Sequence, residues 1–211
     1  MTEILGYGII SALIYAFLAL SYLVIKTFSF GKKPLLSKPQ GKSQKGVIYA
    51  LGKGLFPWEK ESASRNLSTY VAGVLYHSGI FLAFLYTLFE VFSIVLDNWL
   101  LHLFQTFILI GFFCGVSLLI KRILKDYLRK ISCPDDFVAN ILVDIFLLFA
   151  FLNTFYTGIK LIFFSVTILL LLYIPVGKIR HCFFFFYSRI IFGIFFGRRG
   201  VLPHKPGRAG V

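Results

Sequence analysis

Acidic residues are scarce in this chain of 211, with nine Asp and Glu against 22 Lys and Arg and a formal net charge of +13. Charge of either sign is thin, at 15% of residues, whereas 58% are apolar and 18% aromatic. An ordinary soluble domain is about 25% charged and about 45–50% apolar. One globular core of this size cannot hide so much apolar surface, and the mean hydropathy of +0.82 excludes a soluble enzyme. Cysteine is also sparse. Cys114, Cys133 and Cys182 lie far apart, which excludes a disulfide framework or a metal-binding pair, and no Cys-x-x-Cys-His is present for covalent haem attachment. No repeat and no soluble domain is recognisable. Residues Met1–Leu5 lack a basic stretch and no small-residue cleavage site follows, so the first apolar segment is expected to stay as an anchor.

What remains is an all-α integral membrane protein. A helix needs about 20 apolar residues to cross the hydrocarbon core. Five runs qualify: Leu5–Ile25, Tyr70–Val95, Leu100–Leu119, Phe137–Phe155 and Leu161–His181. They are apolar on all faces, without the period-two alternation of a transmembrane barrel, and lipid-exposed backbone must satisfy its own hydrogen bonds. A five-transmembrane-helix bundle is expected. Along the chain this predicts a first transmembrane helix (1–30), a basic loop (31–69), a four-helix membrane region (70–181) and an amphipathic, basic C-terminal segment (182–211).

Strong basicity often marks nucleic-acid binding, but here the cations fall in blocks between apolar runs, as the ends of membrane helices require. No nucleic-acid partner is expected. Lys26, Lys32, Lys33, Lys38, Lys42, Lys45, Lys53, Lys60 and Arg65 lie between spans 1 and 2. Lys121, Arg122, Lys125, Arg129 and Lys130 separate spans 3 and 4, and Lys178, Arg180, Arg189, Arg198, Arg199, Lys205 and Arg208 lie at the C-terminal end, from the last turn of span 5 onward. Only Lys160 falls on the other side. The positive-inside rule therefore puts the N-terminus outside and the C-terminus in the cytoplasm of a multi-pass protein of the cytoplasmic (inner) membrane. The loop from Gly31 to Arg65 is expected to hold a short interfacial stretch near Val47–Trp58. The tail, with four consecutive phenylalanines at Phe183–Phe186, reads as a helix that lies in the interface or covers a partner.

Ionisable groups inside spans are candidates for function. His77 is about seven residues past the inner start of span 2, roughly 10 Å into the membrane, and His181 closes span 5 on the same side. His102 begins span 3 on the outer face, about 25 Å from His77 in height, so those two cannot share a ligand. His204 lies in the polar tail. Two imidazoles at matching depth on different helices suit a six-coordinate b-type haem lying between the helices, with Arg180, Lys178, Arg65 and Lys121 near enough to meet its propionates. The same two histidines also suit plain hydrogen bonds across helices.

Several stretches resemble a known family. Leu75-Tyr-His-Ser-Gly-Ile80 is similar to the second span of the nitrate reductase gamma-subunit family of membrane cytochromes b. Tyr173-Ile-Pro-Val-Gly-Lys-Ile-Arg-His181 resembles the close of its fifth span, and Leu118-Leu-Ile-Lys-Arg122 with Pro134-Asp-Asp136 resembles its loop between spans 3 and 4. The resemblance covers roughly 66–187 and extends to the membrane subunits of heterodisulfide reductase and of the sulfite-reduction-linked membrane complex. It implies His77 and His181 as axial ligands of haem iron, with Lys178 and Arg180 beside the cofactor. The family holds two b haems, one near each face. Where an outer pair would lie, this sequence has Thr87 and Phe163, and its only methionine is Met1. One haem b is expected, not two.

The resemblance implies an electron-transfer subunit of a larger oxidoreductase, with no complete catalytic site of its own. It would connect a quinone pool (menaquinone or ubiquinone) to a cytoplasmic iron–sulfur subunit, heterodisulfide-reductase-like or nitrate-reductase-beta-like, with membrane lipid around it. The basic loops and the Phe183–Arg199 segment are the expected docking face. Two alternatives stay open: a haem-free structural membrane anchor, and a cytochrome passing electrons only between protein partners. Asp144 and Glu90 are candidate proton carriers, or simply a helix-tying carboxyl and an interfacial one. Asp135 and Asp136 read as the acidic first turn of helix 4.

Overall fold

A computed structural model describes residues 2–30 and 38–202. His204, Lys32, Lys33, Lys205 and Arg208 lie outside the described residues. Among those described, all regular structure is helical: α1 (Thr2–Ser29), α2 (Ser43–Leu51), α3 (Glu61–Arg65), α4 (Leu67–Val91), α5 (Asn98–Leu124), α6 (Asp126–Ile131), α7 (Pro134–Asn153), α8 (Lys160–Tyr173) and α9 (His181–Arg199), with short 3-10 turns between some of them. Four segments are long and apolar enough to cross a membrane: α1, α4, α5 and Lys178–Arg199, which contains α9.

Spans 1 to 4 of the sequence reading correspond in position to α1, α4, α5 and α7 within a few residues, although α7 is not among the four segments long and apolar enough to cross. The fifth does not. It was expected to run unbroken from Leu161 to His181, yet α8 stops at Tyr173 after 14 residues. Pro175 is the cause, since it has no N–H to give the helix and its ring clashes with the carbonyl one turn back. The chain turns at Ile174–Gly177, where the Val176 and Gly177 amides both donate to the Tyr173 carbonyl (3.1 and 2.9 Å). A side chain at Gly177 would strike the Tyr173 ring, with a Cβ 2.3 Å from Cζ. One 3-10 turn (Lys178–Arg180) follows, and α9 begins at His181.

The described chain forms two compact units, grouped differently from the linear division expected. The first contains residues 2–21 and 66–180; the second contains residues 22–30, 38–65 and 181–202.

In the first unit α4, α5, α7 and α8 run up and down. At one end Lys160 at the start of α8 pairs with Glu90 near the end of α4 (2.9 Å), and Gln105 of α5 donates to Thr154 beyond α7 (3.1 Å). At the other end Lys121 of α5 bonds Thr69 of α4. Helices α4 and α5 touch backbone to backbone: a Cβ on Gly79 would lie 2.8 Å from the Gly111 Cα. The half of the bundle towards Glu90 is filled with rings. Phe146 packs on Phe84 (4.8 Å) and Phe163 (6.1 Å), Tyr86 on Phe163 (5.9 Å), and Phe89 on Phe104 (5.8 Å). Helix α7 begins as expected, with Pro134 in its first turn, Asp135 and Asp136 at its positive end, and the Cys133 amide donating to the Asp136 carboxylate (2.9 Å).

The second unit is built on glycine. Gly46 of α2 lies so close to α9 that a Cβ there would be 1.9 Å from the Gly193 carbonyl oxygen and 2.7 Å from the Gly197 Cα. The Gln40 and Gly41 amides donate to the Arg198 carbonyl (2.9 and 3.0 Å), which caps the end of α9. The C-terminal end of α1 belongs to this unit, where Thr27 donates to the Tyr187 hydroxyl (2.8 Å).

Candidate functional site

His77 lies on α4, ten residues past Leu67. At ~1.5 Å per residue this is about 15 Å along the helix, deeper than the sequence suggested because α4 starts earlier. Its neighbours Tyr76 and Gly79 are buried, and His77 itself is exposed. The ring therefore stands on the outer face of α4, outside the core of the first unit. Its Nδ1 is 2.7 Å from the Gly73 carbonyl oxygen. A carbonyl can only accept, so Nδ1 carries the proton and Nε2 is the basic nitrogen. A backbone carbonyl holding one ring nitrogen is the usual support of a histidine that gives the other to a metal.

His181 is exposed at the first position of α9, in the second unit. It was expected to close the fifth span; the break at Pro175 instead separates it from α8. Arg180 is exposed just before it. The other expected propionate partners are engaged elsewhere. Lys178 binds the Asp136 carboxylate (2.7 Å), Arg65 pairs with Glu61 one turn away, and Lys121 holds Thr69. Asp136 also takes Arg122 (3.1 Å). Burial alone would raise its pKa, but Lys178, the Cys133 amide and Arg122 outweigh that and bring it down to about 2.

His102, at the opposite end of the bundle, donates from Nδ1 to Gln105 (2.9 Å) and is exposed. Thr87 and Phe163, at the positions of the family's outer ligands, are both buried. Thr87 donates to the Ala83 carbonyl (2.8 Å), and the Phe163 ring is part of the aromatic stack.

Sequence reasoning missed a polar cluster around Asp144. Asn140 donates to the Asp144 carboxylate (2.9 Å) and to the Tyr76 hydroxyl (3.2 Å), while Asp144 Oδ1 is buried without a partner. Gly115 makes the room, since a Cβ there would lie 2.1 Å from that oxygen. The i, i+4 pair Asn140 and Asp144 was a readable signal on one face of α7; the third member, Tyr76, comes from another helix. A second cluster joins Asn153 to the Tyr86 hydroxyl (2.9 Å). No group of three or more His, Cys, Asp or Glu side chains that could hold a metal ion occurs among the described residues.

An apolar groove of about 330 Å³ runs between α7 and α8, lined by Val138, Ile141, Leu142, Ile145, Leu169 and Tyr173. Compared with protein families, curated proteins and solved structures, the chain matches none of them.

Proposed function

We propose that the protein is a membrane-anchoring b-type cytochrome subunit of the cytoplasmic membrane. In this reading it crosses the membrane five times, through α1, α4, α5, α7 and α8, with the N-terminus outside and the C-terminus in the cytoplasm. The cations at the Lys121, Arg122 and Lys178 end of the bundle, against Lys160 alone at the other, support that orientation. One haem b is bound through His77 and His181, and electrons pass one at a time between a quinone and a cytoplasmic iron–sulfur subunit.

The observation that carries the reading is His77. A histidine ring in a long apolar helix, turned outward with Nδ1 held by a backbone carbonyl and Nε2 basic, suits axial ligation. When bound, the haem supplies reversible one-electron chemistry in a low-dielectric setting. The Gly73 carbonyl fixes the His77 tautomer, and Arg180 offers a cation to the propionates. The burial of Phe163 in the aromatic stack, and of Thr87 on the Ala83 carbonyl, supports a single haem. The groove between α7 and α8 offers lipid-side entry for a prenylated ring. The basic residues between α5 and α7 (Lys121, Arg122, Lys125, Arg129 and Lys130) offer a docking face for the iron–sulfur subunit.

The haem-free anchor is the second reading, favoured by the bond that already ties His77 to its own helix. A reduced spectrum and a pyridine haemochrome assay on purified protein, repeated for His77→Ala and His181→Ala, separate the two. One haem b per chain, lost in both variants, is the expected result. No haem in folded protein refutes the cytochrome, and two haems refute the single site. Quinol-driven reduction, with and without a site inhibitor, then tests the quinone.

A further inference from the structure

Helix α9 has the length and composition of a membrane crossing. Three observations within its own unit argue otherwise. First, Tyr187, in the second turn of α9, packs edge-on against Phe28 (6.1 Å) and accepts from Thr27, at the last turn of α1 beside Lys26. That turn marks where α1 leaves the hydrocarbon. Second, charge gathers against the middle of α9. Lys53 pairs with Glu59 (2.8 Å), which also accepts from Tyr49 (2.7 Å), and Arg189 lies close enough to act on both Tyr49 and Lys60. Burial lowers the Lys60 pKa first and Arg189 lowers it further, so this ammonium sits in a crowded cationic patch. Side chains of this kind are costly within hydrocarbon. Third, α2 is fixed to α9 by direct backbone contact at Gly46, Gly193 and Gly197, so its basic residues travel with α9.

The remainder of α9 is an apolar surface, with Phe185, Phe186, Ile191, Phe192 and Phe195 all exposed. Nearby, Phe56 stacks on Trp58 (4.7 Å), and both are exposed, the residue types that populate the membrane boundary. Against Lys42, Lys45, Lys53, Lys60, Arg65, Arg189, Arg198 and Arg199 the described part of the unit sets only Glu59 and Glu61.

We propose that α2 and α9 form one rigid plate lying in the inner membrane interface, with the phenylalanine face of α9 in the acyl boundary and the basic residues on anionic phospholipid headgroups. The apolar area drives insertion and the lysines and arginines select anionic lipid. The partner of this face is lipid, not protein, and the assignment does not depend on haem.

The test uses full-length chains with one cysteine, in a Cys114→Ala, Cys133→Ser background. One keeps Cys182; the other carries Cys182→Ser and Arg199→Cys. In sealed, oriented vesicles a membrane-impermeant maleimide is expected to label both from the cytoplasmic face, with loss of labelling from the opposite face. Labelling from opposite faces means that α9 crosses, which overturns the proposal. A third chain, Cys182→Ser with Phe192→Cys, carries a fluorophore in nanodiscs of phosphatidylcholine with or without phosphatidylglycerol. Quenching by lipids spin-labelled near the headgroup, stronger than by lipids labelled at the chain end and strengthened by phosphatidylglycerol at low salt, supports the plate. A label unquenched by either lipid means that the face awaits a protein or water, and overturns it. Quenching indifferent to phosphatidylglycerol overturns the anionic selectivity.

Discussion

Replacing Asp136 with Asn tests the tie between the start of α7 and the chain beyond α8. The Asp136 carboxylate faces two cations, Lys178 at 2.7 Å and Arg122 at 3.1 Å, and accepts from the Cys133 amide. Its pKa falls from an ordinary 3.8 to about 2, the attraction of those three groups exceeding the cost of burial. That gap is equivalent to roughly 2 kcal/mol favouring the folded protein at neutral pH. Lys178 is 48% exposed, so water and salt screen part of it, and about 1–2 kcal/mol is the expected loss in Asp136→Asn. For a chain of this length that lowers the melting midpoint by roughly 2–8 °C. The pH dependence has a definite sign. A depressed carboxyl stabilises wherever it is ionised in the unfolded chain as well, that is above 3.8, and the contribution disappears as pH falls through about 2. The difference between wild type and Asp136→Asn in detergent should therefore stay constant from pH 7 down to about 4 and shrink below it. It should also narrow with added salt. Equal midpoints at pH 7, or a difference that persists unchanged at pH 3, would refute this account.

Other substitutions probe the packing. Phe163→Ala removes a fully buried ring from the stack with Phe146 and Tyr86, and should cost about 3–5 kcal/mol in a denaturant titration of the solubilised protein. Gly111→Val puts atoms where the Gly79 Cα already lies 2.9 Å from a would-be Cβ, so α4 and α5 must separate; a loss above the ~1–3 kcal/mol usual for overpacking is expected in the same titration. Gly46→Val should detach α2 from α9 without touching the first unit, read as new trypsin cleavage at Lys45 and Lys53 while the α4–α8 fragment stays resistant.

Much of the bundle was legible because α1, α4 and α5 are apolar all round and interrupted by charge at both ends. Length and hydropathy suffice for such helices. The misreading of the fifth span came from weighing hydropathy alone over 161–181, where Pro175 carries a local backbone signal that no hydropathy average contains. The contact between α2 and α9 was missed for a related reason. Gly193 and Gly197 form a small-xxx-small spacing, as do Gly111 and Gly115, yet a glycine pair does not announce its partner. Gly46 is 147 positions away, and only the fold brings it to α9. Lys178 and Asp136 are 42 residues apart, and Tyr76 and Asn140 are 64, which is why neither the salt bridge nor the Asp144 cluster followed from inspection. The acidic first turn of α7, by contrast, depends on neighbours in sequence and was read correctly.

The two halves of the first unit are held by opposite means, and this bears on where any cofactor can go. Toward Asp136, α4 and α5 close to backbone contact at Gly79 and Gly111, and Gly115 leaves just enough room for the Asp144 carboxyl. Toward Glu90 the helices stand apart and Phe104, Phe146, Phe163 and Tyr86 occupy the space, all of them buried. Direct glycine contact closes the first half, and buried aromatic rings fill the second. A cavity between α1, α4 and α8 is about 120 Å³, small beside the roughly 300–1,000 Å³ of ligand pockets. His77 is compatible with ligation only because it turns the other way, onto the outer face of α4. Phe84→Trp, which fills that cavity, should therefore leave haem content unchanged, whereas Gly73→Pro, which bends α4 beneath His77, should lower it.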